Sequence, residues 1–368
     1  MLVGVDAGSR RDSWSIDSSL DELNQLAGTA GADVVGRLTQ KLERPSSTHY
    51  IGSGKMQELI ELKQELNYDT VIINDELAPR QQRNLEEALE VKVIDRTALI
   101  LDIFAASART REGKLQVELA QHEYLLPRLE GQWSHLERLG GGIGTRGPGE
   151  SQIETDRRLI RKRINSIGQQ IEAVRRHREL YRRQRKKSNT PLVALVGYTN
   201  AGKSTLLNAI CQADVITENK LFSTLDPVTR RLRLSDGRTI LLTDTVGFIH
   251  KLPPLIVAAF HATLEELDEA DLLLHVVDIT SPEAVNQSRT VESILRKLKL
   301  DEKPRITVIN KMDRVVENPE EAQSVYFEVE SPQESTIAVS ASKSWNLNNL
   351  VEMIGRFLIA QYPIIEGA

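Results

Sequence analysis

The sequence predicts an α/β protein in two folded parts: a small N-terminal α/β domain with a long antiparallel helical hairpin, then a domain built on a mostly parallel sheet. Three observations predict it. Short apolar runs alternate with helical patterns before residue 110 and again after residue 190, the order of βαβ units. Between these stretches apolar residues recur at steps of three and four, the period of packed helices. A glycine-rich loop at 197–204 follows an apolar strand directly and opens a helix. At 368 residues the chain exceeds what one core supports. The expected segments are 1–112, an α/β subdomain, 113–189, the hairpin, and 190–368, the second α/β domain.

In the first segment, strands are expected at Leu2–Val5, Val34–Leu38, Val71–Ile73 and Val91–Ile94, with a helix over Met56–Leu66 and a largely parallel sheet. Gly52-Ser53-Gly54-Lys55 looks like half a phosphate loop. His49 stands where the first glycine belongs and Met56 replaces the metal-binding hydroxyl, so phosphate binding is not expected there.

The hairpin follows. Leu115, Leu119, His122, Leu126, Leu129, Trp133 and Leu136 form one seam, which Pro127 should kink. Ile153, Ile160, Ile164, Ile167, Ile171, Val174 and Tyr181 form the other, so each helix can bury the other's stripe. The joint, Gly140 to Gly149, cannot be helical, because glycine is costly there and Pro148 disfavours a helical residue before it. It has little side-chain bulk, with Gly141 and Gly142 beside a single cation, Arg146. The second helix carries Arg157, Arg158, Arg161, Lys162 and Arg163 and ends in a basic run through Lys187. That density suits contact with a phosphate backbone, against the plainer reading of a solvated face.

Composition excludes several classes. The apolar run Ala98–Ala106 is short and contains Asp102, so no membrane insertion is expected. No basic segment precedes a long apolar run at the amino terminus, so a cytoplasmic location is expected. One cysteine, Cys211, can form neither an internal disulfide nor a zinc site. The net charge of −5 gives no global attraction to nucleic acid, which leaves the basic helix as a local patch.

Beyond Pro191, strands are expected at Leu192–Val196, Arg231–Leu234, Thr239–Thr243, Leu272–Val277, Ile306–Ile309 and Thr336–Val339. Asp236-Gly237 is a hairpin signal, so one edge strand should be antiparallel. A last helix is expected over Leu347–Ile359. Gly197-Tyr198-Thr199-Asn200-Ala201-Gly202-Lys203-Ser204 matches a phosphate loop. Backbone N–H groups and the helix start hold negative charge, Lys203 reaches the outer phosphates, and Ser204 ligates Mg²⁺, with Thr205 next in the helix. Asp244-Thr245-Val246-Gly247 places a carboxylate near the metal and a glycine N–H near the γ-phosphate. Asn310-Lys311-Met312-Asp313 reads the base: Asp313 accepts both guanine N–H donors, whereas adenine would leave the carboxylate unpaired. Ser340-Ala341-Ser342 closes over the base. Between the first two motifs, Leu221 to Arg230 is the expected switch, with Phe222, Ser223, Thr224, Leu225 and Asp226 at the nucleotide, Thr224 closing on Mg²⁺ and Thr229 the alternative. All lie at strand ends, where α/β ligand sites form. The domain is therefore expected to be a Ras-like P-loop GTPase domain binding GTP and GDP. Lys203, Thr224, Gly247 and Phe248 surround the expected reaction. Phe248 cannot orient water as a glutamine does, so hydrolysis should be slow without outside help; core packing is its competing reading. Asn200 is a candidate K⁺ ligand.

The chain resembles the HflX family, within the Obg-HflX group of translational GTPases. The resemblance rests on Tyr50-Ile51-Gly52-Ser53-Gly54-Lys55, Gly113-Lys114-Leu115-Gln116-Val117-Glu118-Leu119-Ala120, the run Gly140–Gly149 with Glu150-Ser151-Gln152, and Asp244-Thr245-Val246-Gly247-Phe248. It implies that the N-terminal domain docks on the large ribosomal subunit and that the hairpin carries its loop toward the peptidyl-transferase centre. It also implies that the GTP-bound protein, expected as a monomer, separates stalled or idle ribosomes into subunits. The RNA-facing residues would be Gly141, Gly142, Arg146, Arg157, Arg158, Arg161 and Lys162. Little sequence follows the last expected helix, so the additional C-terminal domain of some relatives is expected to be absent. Two other readings stay open on the residues alone: a switch whose hairpin binds a protein, and a P-loop NTPase that remodels RNA.

Overall fold

The structure, a computed structural model, describes residues 1–8, 14–129, 148–187, 190–211, 221–222, 224–259, 266–322 and 335–361. Chain contacts divide it into two compact units, one of Met1–Arg176 with Lys251–Ala259 and one of His177–His250 with Phe260–Ala368.

The first unit is built on four parallel strands, β1 (Leu2–Asp6), β2 (Arg37–Lys41), β3 (Thr70–Ile73) and β4 (Lys92–Asp95), in the order β2-β1-β3-β4. β2 starts three residues later than the sequence reading placed it, because Leu2 pairs with Arg37 and donates to the Gly36 carbonyl. Only Leu38 of this edge strand turns fully inward; Val35 is exposed. The helices are α1 (Ile16–Thr29), α2 (Ser53–Leu66), α3 (Pro79–Leu89), α4 (Arg96–Ser107) and α5 (Arg111–Leu125). Ser15, Asp95 and Thr110 cap α1, α4 and α5 by accepting backbone N–H groups from three residues on. Gly52 is the N-cap of α2, its N–H given to Gln40 Oε1, and Lys55 pairs with Glu58. The partial phosphate-loop pattern is thus a helix start.

α5 ends in a 3₁₀ turn at Leu126–Arg128, where Pro127 interrupts the α-helical bonding. Its buried face is not the expected seam. Gly113, Leu115, Gln116, Val117, Ala120 and Tyr124 are buried, whereas Leu119, His122 and Leu126 are half-buried. α5 packs on α4 and on the short helix Pro254–Ala259, and these contacts set which face is buried. The returning helix α6 (Pro148–Lys187) buries Ile167, with Ile160, Ile164, Ile171 and Val174 half-buried, as its periodicity requires. Arg163 of α6 binds Glu118 of α5 at 2.6 Å. Trp133, Leu136, Gly141, Gly142 and Arg146 lie outside the described residues. The short helix α8 (Pro254–Ala259) packs on α5 and belongs to this unit, although the sequence reading placed it with the C-terminal domain.

The second unit holds six strands: β5 (Leu192–Gly197), β6 (Val228–Arg233), β7 (Thr239–Asp244), β8 (Leu272–Asp278), β9 (Arg305–Asn310) and β10 (Ser335–Ala338). Their order is β10-β9-β8-β5-β7-β6, and among these pairings only β6 with β7 is antiparallel. The turn between β6 and β7 places Gly237 at φ +85°, a conformation open to glycine at little cost. Helices α7 (Lys203–Cys211), α9 (Ala284–Lys297), α10 (Pro319–Ala322) and α11 (Leu347–Gln361) accompany the sheet. Val193, Leu195, Leu242, Leu274, Val276, Ile306 and Val308 form its core with Leu206, Leu350, Ile354 and Leu358. No helix among the described residues is long and apolar enough to cross a membrane.

Candidate nucleotide-binding site

The site forms where β5, buried throughout, gives way to α7. Two glycines of the loop are demanded by close approach. A Cβ at Gly197 would stand 2.4 Å from the Val276 carbonyl oxygen, and one at Gly202, at φ +92°, would stand 2.3 Å from Asn310 Nδ2. Thr199, Asn200, Gly202, Lys203, Ser204, Thr205, Phe222, Thr224, Thr245 and Gly247 line one cavity, so three of the sequence motifs share its walls.

Lys203 is buried and donates to the carbonyls of Tyr198 at 2.9 Å and Gly197 at 3.3 Å. Burial pulls its pKa down to about 8, against the pull of Asp244. A triphosphate brings the anionic partner that favours the charged ammonium. Gly247 lies against this amine, its notional Cβ 2.9 Å from Lys203 Nζ, so a larger residue there would occupy space beside the amine.

Ser204 Oγ lies 2.7 Å from Thr224 Oγ1 and 2.6 Å from Asp244 Oδ2. Asp244 is buried, its pKa raised by desolvation against the opposing effects of Lys203 and Ser204, and its Oδ1 has no hydrogen-bond partner among the described residues. Three hard oxygen donors converging beside an orphaned carboxylate oxygen fit Mg²⁺, which takes oxygen ligands and retains water. Ser204 and Thr224 would hold the ion, with Asp244 behind them. Bound there, Mg²⁺ neutralises phosphate charge. Thr229, the alternative switch threonine, instead bonds Thr243 across the β6–β7 ladder at 2.8 Å.

Phe248 has its ring buried and its backbone bonded on both sides of the loop. Its N–H donates to Gly197 O at 3.1 Å, and its carbonyl accepts Thr199 N–H at 2.8 Å. The side chain offers reacting atoms no polar group, and its geometry is that of packing. His250 N–H donates to Tyr198 Oη at 2.6 Å, a further tie between the loop and the segment after Gly247.

At the loop expected to read the base, Asn310 Nδ2 donates to Ala201 O at 2.9 Å, and its Oδ1 accepts Ala341 N–H at 3.1 Å. One side chain therefore fixes the phosphate loop against the closing loop. Asp313 Oδ1 accepts Ser340 Oγ at 2.5 Å, and Ser342 lies 3.1 Å from Ser340. Met312 is buried in a small core with Ile309 and Ala338, so its role is packing. Val246 and Leu225 are likewise buried, Asp226 is half-buried, and Ser223 lies outside the described residues. Asp278, at the end of β8, binds Lys311 Nζ at 2.6 Å and accepts from Thr280. The sequence reading missed it, although a carboxylate at the carboxyl end of a central strand is a recognisable signal.

A Ras-like sheet carrying these four loops defines a P-loop GTPase. Family models agree along the chain: "GTP-binding GTPase N-terminal" over 17–105, "GTP-binding GTPase Middle Region" over 107–185 and "50S ribosome-binding GTPase" over 192–311. The chain is similar to the GTPase HflX of Caldanaerobacter subterraneus subsp. tengcongensis, 52% identical over 95% of this chain and 79% of that protein. It is 48% identical to the HflX of Lacrimispora saccharolytica over 100% of this chain and 84% of the relative, and 48% identical to that of Escherichia coli over 80% and 69%. The chain belongs to the HflX family of GTPases. It binds guanine nucleotide and hydrolyses GTP.

Proposed function

We propose that this GTPase acts on the large ribosomal subunit and, in its GTP-bound form, promotes separation of ribosomes into subunits, with Mg²⁺ required at the nucleotide. The observation that carries the reading is the two-faced helix α6. Ile160, Ile164 and Ile167 turn inward, while Arg158, Arg161 and Lys162 are exposed on the same turns. Arg157 is half-buried beside them. A helix anchored along one stripe and cationic along the other suits an RNA backbone, whose phosphates attract charge without reading sequence. The description of the matching family model, a 50S ribosome-binding GTPase, agrees with that target. The loop joining the hairpin helices, including Gly141, Gly142 and Arg146, would act at the RNA. No glutamine follows Gly247, and Phe248 is buried, so the free protein should hydrolyse GTP slowly.

Purified large subunits should accelerate turnover at least tenfold, and the acceleration should fall steeply as KCl rises. Shortening 140–147 should leave GTP affinity nearly unchanged and impair subunit separation, read by sedimentation of intact ribosomes. Equal turnover with and without subunits would reject the ribosomal reading, and full separation by the shortened variant would reject the loop's role.

A further inference from the structure

One edge of the second unit's sheet carries an unusual density of charge. Among the described residues β6 is the terminal strand, with β7 its one neighbour in the sheet. It reads Val228-Thr229-Arg230-Arg231-Leu232-Arg233, and all three arginines are exposed. Val228 and Leu232 pack toward the core, so strand alternation turns Arg231 and Arg233 to the opposite face, with Arg230 at the core-side rim. Among the described residues no carboxylate forms an ion pair with any of the three; Arg230 donates only to the adjacent Thr229 carbonyl at 3.1 Å. Asp236, the nearest acid in sequence, is taken by Arg238 at 2.6 Å.

A charged edge has a plain use, since it discourages pairing with another strand. One or two charges of either sign achieve that. Three arginines in four positions, in a chain whose net charge is −5, exceed it. Residues two apart on one strand face are separated by about 6.8 Å, comparable to the spacing of successive phosphates on an RNA strand. Guanidinium groups also pair phosphate oxygens in bidentate fashion. We propose that the edge of β6 is a second RNA-backbone contact of this protein, made by Arg230, Arg231 and Arg233. The inference rests on the ribosomal reading above and places part of that binding on the nucleotide unit. Thr224 lies four residues before β6 and meets Ser204 at the metal position, so this contact sits next to the segment that responds to nucleotide.

The test uses the full chain with Arg230, Arg231 and Arg233 all changed to glutamine. Affinity for purified large subunits is measured with a non-hydrolysable GTP analogue across a KCl series. Each lost phosphate contact removes about 0.7–0.9 from the slope of log affinity against log salt. The slope should therefore fall by about 2 to 3, and affinity at the lowest salt by at least tenfold, with GTP affinity in the absence of subunits unchanged. The Arg→Lys triple variant keeps the charge and should regain most of the slope, whereas a fold defect in the glutamine variant would instead show in its GTP affinity. A photo-crosslinker replacing Arg231 should label ribosomal RNA. Wild-type slope and affinity in the glutamine variant would overturn the proposal, as would crosslinking to ribosomal protein alone. If the unmodified protein fails to bind large subunits, the ribosomal reading falls and this contact with it; normal binding by both proteins removes only the β6 contact.

Discussion

Asp313 enters the site already oriented, because Ser340 Oγ donates to one of its oxygens at 2.5 Å. The carboxylate accepts and cannot donate, which fits the two N–H donors that guanine offers. Asp313→Asn should therefore weaken GTP binding by at least tenfold and improve binding of xanthosine triphosphate, whose edge accepts where guanine donates. Competition binding with the two nucleotides measures this, and unchanged GTP affinity would remove Asp313 from base recognition. A second residue-level consequence concerns His275, buried in β8 between Val196 of β5 and Thr307 of β9. Burial, aided by Arg305 and Lys203, lowers its pKa to about 3. In the unfolded chain it takes a proton near 6.5, so between pH 6.5 and about 3 the unfolded state holds more protons and stability falls as pH falls. This one group should contribute a slope of about 1.4 kcal/mol per pH unit in that window. Urea midpoints for His275→Leu and the parent, compared from pH 7 to pH 4.5, should show a shallower dependence in the variant. Identical slopes would mean that His275 accepts its proton while folded.

Among the elements, α1, β3 and α4 meet through a buried polar network. Glu22 of α1 binds Arg96 of α4, Arg96 also donates to Asn74 just beyond β3, and Asn74 donates to Ser19. Glu22 and Arg96 are nearly inaccessible to solvent. Glu22→Ala leaves a buried guanidinium without its counter-charge, which should cost about 3–5 kcal/mol of N-terminal unit stability. The expected readout is a lowered first unfolding transition with GTP affinity retained; an unchanged transition would show that water or another acid replaces Glu22. The sequence offered no sign of this pairing, because 74 positions separate the partners and neither belongs to a motif. Legibility divides along that line. Most strands of the nucleotide unit, the antiparallel edge marked by Asp236-Gly237 and the motifs that share one cavity were readable, since each is encoded in a short contiguous stretch, although β6 begins at Val228, three residues before the expected Arg231. The start of β2, the buried face of α5 and the pairing of Asp278 with Lys311 were not. Each depends on what a distant element presents: Leu2 to Arg37, α4 to α5, and β8 to the Lys311 loop.

For the molecule as a whole, the groups proposed to meet phosphate, metal and base fall within 177–250 and 260–368, whereas the two-faced region of α6 belongs with the N-terminal sheet. Lys251–Ala259, which begins four residues after Gly247, also belongs with that sheet's unit: Lys251 binds Asp75 at 2.6 Å, Asp75 accepts Tyr50 Oη, and α8 packs on α5. The chain therefore passes from one unit to the other three times, at 176–177, 250–251 and 259–260. Such threading bears on inheritance. A genetic exchange with a single breakpoint between residues 126 and 190 would deliver α8 and Lys251 from one parent and α5 and Asp75 from the other. The two parts of this gene are thereby bound to drift together, each substitution on one side of that small seam restricting which substitutions the other side can accept.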